Sequence, residues 1–317
     1  MPRDGSPPGM LGGSGKPPGP IAPMNIGDVA TPPFAVLPDP DRLFAHRASR
    51  LRKLATTHEL EGYLRFLAAI CDAQAAAVIS AAPPVLPSRE HLALARTHAM
   101  PPITLGAFVP DADADAIFSL ILARLADNPD SATARSIIDA TANAPVEARR
   151  AMMMAVVSDE IPADAIAAHV LAAAAVQVHF TRRAAALDVA TLQKVANGAC
   201  PACGGRPVAS AVVGWEGAAN TRFCTCSICA TQWNAPRILC LSCGAEKGIV
   251  FHGLEGGSDA IKAETCESCN SYVKIFYQIN DADLEVVADD VASLGLDLKL
   301  REDGVARASA NPFLIGY

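Results

Sequence analysis

The chain has 317 residues and a formal net charge of -7, and it is 51% hydrophobic but only 5% aromatic. The length leaves room for two domains and a sizeable core, and the acidic balance argues against a nucleic-acid surface. Alanine carries much of the apolar fraction, which favours helices and is too weakly hydrophobic to build a membrane span.

Residues 1–38 form a low-complexity Pro/Gly segment containing PRDGSPPGMLGGSGKPPGP, predicted to be a disordered tail. It lacks the apolar run of a secretory signal, which predicts a cytoplasmic location. Residues 39–197 then read as an all-helical domain. Asp39-Pro40 supplies a cap and a first-turn proline, followed at helical spacing by Leu43, Phe44, Arg47, Leu51 and Leu54. A longer helix places Leu60, Leu64, Leu67, Cys71 and Val78 on one stripe. Cys71 reads as a small buried hydrophobe. Further helices are expected after Ser88, over about 113–126, 131–142 and 145–158, through the Ala-rich stretch 163–180, and over about 184–196.

Composition changes at Gly198, where short β-rich segments alternate with cysteine pairs. Eight cysteines form four Cys-x-x-Cys pairs: Cys200/Cys203, Cys226/Cys229, Cys240/Cys243 and Cys266/Cys269. The gaps between successive pairs are 22, 10 and 22 residues, so one four-cysteine unit occurs twice. Two thiolates three positions apart on a tight turn occupy one side of a tetrahedral metal, and a second such turn closes it. The spacing therefore predicts two ribbons, over 198–237 and 238–280, each holding one metal ion. Zinc and iron accept this ligand set at almost the same bond length, so a structural and a redox site both remain open.

The turn after each pair needs a residue tolerant of positive φ. Gly204, Gly244 and Asn270 meet that need, while Ala230 departs from it and predicts strain or a different turn. Cys224, two residues before a ligand, is read as a non-ligand because the duplicated spacing selects Cys226/Cys229. Residues 281–317 are predicted to hold one helix over about 283–300 and a tail. Its stripe is Leu284, Val287, Val291, Leu294 and Leu298, and Asp289 and Asp290 are placed on a solvated face.

No nucleotide-binding glycine motif, nucleophile elbow or metalloprotease helix occurs, and the seven histidines are scattered, which predicts a binding protein and not an enzyme. The segments CPACGGRPVAS, FCTCSICATQW, CLSCG, IKAETCESCNSYVKIFYQ, VADDVASLGLDL and NPFL, with the weaker RASRLRKLATTHELEGYLRFLAAICDAQ, resemble the formate dehydrogenase accessory protein family, FdhE. Cys224 and the long Pro/Gly tail are departures from the family pattern.

The resemblance implies an α+β architecture: an N-terminal helical bundle, two tandem rubredoxin-like, zinc-ribbon four-cysteine modules and a C-terminal helix. It also implies a cytoplasmic maturation factor that binds the catalytic subunit of a respiratory formate dehydrogenase before export. The eight paired cysteines would then hold two metal ions, iron with zinc as the alternative. Neither nucleic acid nor membrane insertion is expected, and a homodimer is compatible. For the client-binding surface the candidates are Lys262, Glu264, Thr265, Tyr272 and Lys274, with Tyr277 beside them. The alternative is a rubredoxin-like electron carrier.

Overall fold

A computed structural model of the chain describes residues 31–127 and 131–314; the expected tail up to residue 30 lies outside the described residues. Helices α1 (Pro40–Ala55), α2 (Glu61–Ser80), α3 (Arg89–Thr97), α4 (Ala112–Ala126), α5 (Ala132–Ala142), α6 (Val146–Ser158) and α7 (Ile166–Ala185) form the first half. Side-chain caps start four of them. Asp39 accepts from Asp41 N, Ser88 from His91 N, Asp111 from Ala114 N and Ser131 from Ala134 N, each relieving an orphan donor of the first turn.

The Ala-rich stretch becomes α7, buried from His169 to Arg182 all round its circumference, as a helix without a polar face must be. It packs against α2, α4 and α6. Although α2 is long and apolar enough to cross a membrane by length and composition, its Leu64, Leu67, Ile70 and Cys71 are buried in this bundle.

The helix expected over 184–196 is absent. Instead α7 runs on to Ala185 and a single 3-10 turn, Val189–Thr191, follows, started by Asp188 accepting from Ala190 N. Beyond it Asn197 Nδ2 donates to the carbonyls of Cys240 (2.9 Å) and Leu241 (3.1 Å), and this segment lies in non-helical conformation beside the second ribbon.

Among the described residues one sheet of eight strands forms, all but the first from the second half: β1 (Ala35–Val36), β2 (Pro207–Val212), β3 (Arg222–Cys226), β4 (Gln232–Ala235), β5 (Ile249–His252), β6 (Ile261–Cys266), β7 (Ser271–Phe276) and β8 (Ala306–Arg307). The main order is β1-β4-β3-β2-β7-β6-β5, and β8 pairs with β7. Each ribbon is an antiparallel meander, β2-β3-β4 and β5-β6-β7. They merge where β2 meets β7 in parallel, Ser210 opposite Ile275 and Ala211 opposite Phe276. Residues 34–36, expected to belong to the tail, pair with β4. Ala35 sits opposite Trp233 and Asn234 N donates to Phe34 O at 2.8 Å, which covers a sheet edge whose backbone groups would otherwise face water.

The single C-terminal helix is two: α8 (Val286–Ala292) and α9 (Leu294–Glu302), broken at Ser293. Lys274 Nζ draws on that break, donating to the carbonyls of Asp290 (2.8 Å) and Ser293 (3.1 Å) and to Ser293 Oγ (2.9 Å). The break also changes the buried face. Leu284, Val287 and Val291 are buried as expected, but past Ser293 the buried leucines are Leu296 and Leu300, and Leu298 is exposed.

Asp289 and Asp290, expected on a solvated face, are buried ion-pair partners. Asp289 takes two bonds from Arg50 of α1, at 2.6 and 2.9 Å. Asp290 lies 3.1 Å from Lys274 Nζ and 2.6 Å from Arg307, and Asp297 pairs with the same two cations at 2.5 and 2.7 Å. Burial works to raise the Asp290 carboxyl, but Lys274 and Arg307 hold it below its ordinary value. Arg47 of α1 adds a pair to Glu285 at 3.1 Å, so α1 is bound to α8 by charge as well as by packing.

Because Lys274 is fully buried between two carboxylates, removing it leaves more negative than positive charge inside. Lys274→Ala is expected to lower the unfolding free energy by about 3–5 kcal/mol, read from urea denaturation.

Candidate metal centre

The eight paired cysteines converge into two cages. Cys200, Cys203, Cys226 and Cys229 place their sulfurs within 4.8 Å of one another, and so do Cys240, Cys243, Cys266 and Cys269. In the first cage Cys200 Sγ lies 3.5 Å from Cys229 Sγ and Cys203 Sγ 3.4 Å from Cys226 Sγ; in the second the equivalent separations are both 3.7 Å. Four ligands at about 2.3 Å from a tetrahedral ion stand about 3.8 Å apart, whereas a disulfide would bring two sulfurs to about 2.0 Å. These cages therefore fit one tetrahedral metal ion each, and all ten cysteines are free thiols.

Each pair is held by a turn whose following residue is left-handed. Gly204 and Gly244 both have φ 80°, Asn270 has 49° and Ala230 has 56°. The second turn of the first cage thus keeps the common geometry, and its alanine bears the strain. Turn N–H groups point at sulfur: Gly205 N donates to Cys203 Sγ, and Ile228 N and Cys229 N to Cys226 Sγ, all at 3.4 Å.

Two hydroxyls escaped the reading of the sequence. Cys229 Sγ donates to Thr231 Oγ1 at 3.2 Å and Ser271 Oγ lies 3.0 Å from Cys269 Sγ, each hydroxyl within hydrogen-bond reach of a ligand sulfur. Both stand two residues after the last cysteine of their unit, so the duplication itself, compared position by position, contained the signal.

Burial pushes the Cys200 thiol well up, and the neighbouring sulfurs together with burial do the same to Cys203. Cys229 goes the other way: burial opposes its ionisation, but hydrogen bonds with the other three sulfurs and Thr231 prevail. A metal ion entering the cage would displace the protons of the thiols that bind it. Cys224 belongs to neither cage. It sits mid-strand between Ser210 and Trp233, fully buried, with burial pushing its thiol up to about 12. Cys71 is equally buried and likewise pushed up to about 12.

A third group, Asp111, Asp113 and His179, is also compact. Both ring nitrogens of His179 are already engaged, Nδ1 with Asp113 (3.0 Å) and Nε2 with Arg183 (3.1 Å), leaving no lone pair for a metal.

The expected client-binding residues are placed differently. Glu264 is buried against Arg222 at 3.0 Å, and Thr265 Oγ1 bonds His252 Nε2 at 3.0 Å. Tyr272 donates to Asp297 at 2.7 Å, and Lys274 is the centre of the network above. These four are buried internal links of the sheet. Lys262 alone of the five keeps partial exposure, with its Nζ 5.7 Å from the ring centroid of Tyr277.

Family models match this chain in three consecutive pieces: FdhE, N-terminal, over residues 32–197; FdhE, central domain, over 199–237; and FdhE, C-terminal domain, over 238–314. The chain belongs to the FdhE family. The FdhE homolog of Rhizobium meliloti (strain 1021) is 41% identical over 297 residues, covering 93% of this chain and 97% of that one. That of Edwardsiella ictaluri is 32% identical over 299 residues, covering 93% and 92%. The crystal structure of the FdhE protein from Pseudomonas aeruginosa superposes with a TM-score of 0.78 at 32% identity, covering 90% of this chain and 99% of that one. The α+β architecture with two four-cysteine modules is therefore that of an FdhE protein.

Replacing Cys200 and Cys203 together by serine, or Cys240 and Cys243 together, is expected to remove one metal ion each; elemental analysis showing unchanged metal would refute the grouping. Ala230→Gly should relieve the left-handed turn and stabilise the protein by roughly 1 kcal/mol in denaturant titrations.

Proposed function

We propose that the chain is a cytoplasmic accessory protein that binds the catalytic subunit of a respiratory formate dehydrogenase during its assembly, before export. In this reading it is not an enzyme. It carries two thiolate-bound metal ions, iron with zinc as the alternative. The observation that supports this most is the match of all three FdhE regions, in order, over nearly the whole described chain. A complex with purified catalytic subunit should be recovered in an anaerobic, metal-replete pull-down, and no complex under those conditions would overturn the reading.

One observation favours a second role as an electron carrier: Cys243 of the second cage is exposed, giving an iron there a short path to a redox partner. A dithionite titration of iron-loaded protein separates the two, because iron that never changes oxidation state excludes the carrier.

A further inference from the structure

The two cages share a ligand set but not their surroundings. In the first, Cys200, Cys203 and Cys229 are fully buried and Cys226 is 2% exposed. The helical half closes over it. Ile103 N donates to Ala202 O at 3.1 Å and Leu105 N to Cys203 O at 2.8 Å, so the loop before α4 lies along the first turn. From α7, Gln177 Nε2 donates to Ser227 O at 2.8 Å and pins the second turn, while Gln74 of α2 holds Gln177 Oε1 at 3.0 Å. There is no slack. A methyl group on Gly205 would lie 3.3 Å from the sulfurs of both Cys203 and Cys226, and 3.7 Å from Leu105 Cδ2.

In the second cage Cys243 is exposed and Cys269 half-buried. The position matching Gly205 is Ala245, so the methyl group that would crowd the sulfurs of the first cage is already present. Residues between the ligands follow the same division. Ala202, Ser227 and Ile228 are buried in the turns of the first cage, whereas Ser242, Glu267 and Ser268 stand at the matching positions of the second and are exposed. The helical half reaches this cage through Asn197, which binds the carbonyls of Cys240 and Leu241.

We infer that the second cage is a ligand-exchange site at which an incoming thiol replaces Cys243 on the metal, while the first is a sealed structural site. This rests on both cages holding metal. A thiol is the chemistry such a soft, thiolate-bound centre accepts. In the step, the incoming sulfur bonds to the metal, the bond from Cys243 to the metal breaks, and the thiol's proton passes to the departing Cys243 sulfur. No electron is transferred and the oxidation state is unchanged. Three protein ligands and one replaceable position is also the pattern that separates reactive from structural thiolate sites.

The test uses full-length protein shown by elemental analysis to hold two zinc ions; fewer ions at this stage would defeat the metal reading itself, separately from this inference. Zinc transfer to a chromogenic chelator is followed with no thiol, with a free tripeptide thiol, and with a small protein bearing one surface cysteine. Two phases are expected, one ion leaving roughly ten-fold or more faster, and only the fast phase should respond to thiol. Acceleration by the free thiol alone marks a small-molecule ligand, and acceleration by both marks a face open to a protein; either result carries the inference. Alkylation followed by peptide mass spectrometry should modify Cys243 first and the four first-cage cysteines last. Leu105→Ala, which thins the lid of the first cage without touching a ligand, should speed the slow phase only. A single release phase, a fast phase indifferent to thiol, or first-cage labelling as quick as that of Cys243 would overturn the inference.

Discussion

The structure depends on keeping sulfur charge out of water. Four thiolates around a divalent ion remain net negative, and in the first cage that charge is enclosed by protein on every side. With an ion bound, that charge would be offset by the ion and by three turn N–H groups that donate to sulfur. The left-handed residues after each cysteine pair follow from this, since that conformation lets a turn aim its N–H groups inward. Even the alanine at position 230 accepts it.

Enclosing the cage couples the two halves. A ribbon has too little apolar surface to cover its own metal, so α7 and the loop before α4 complete the shell, and a single apolar cluster runs from the bundle into the sheet. The pairs from Arg47 and Arg50 to Glu285 and Asp289 close the same contact from the far end of the chain. The helices are thus a wall of the metal site.

Much of this was legible in the chain. Cap residues and apolar stripes located α1 to α7, because short-range hydrogen bonding and helical periodicity are local properties. The cysteine spacing grouped the ligands, because a tetrahedron constrains sequence distance. What was not legible were long-range charge pairs. Lys274, Asp290 and Asp297 look like surface residues in any local window, and only the docking of α8 and α9 on β7 makes them neutralise one another indoors. The same blindness led the buried Glu264 and Tyr272 to be read as a contact surface, and joined α8 and α9 across Ser293.

The parallel pairing of β2 with β7 has a consequence for symmetry. Duplicated units that meet through a two-fold rotation use the same strand in both copies, and their environments are equal. Here the first strand of one copy meets the last strand of the other, so the relation is a shift along the sheet, and a shift leaves two unlike ends. The first copy is flanked by β1 and β7; in the second, β5 has no outer strand among the described residues. Two sites with identical cysteine spacing are therefore inequivalent by topology, before any residue near either of them is chosen.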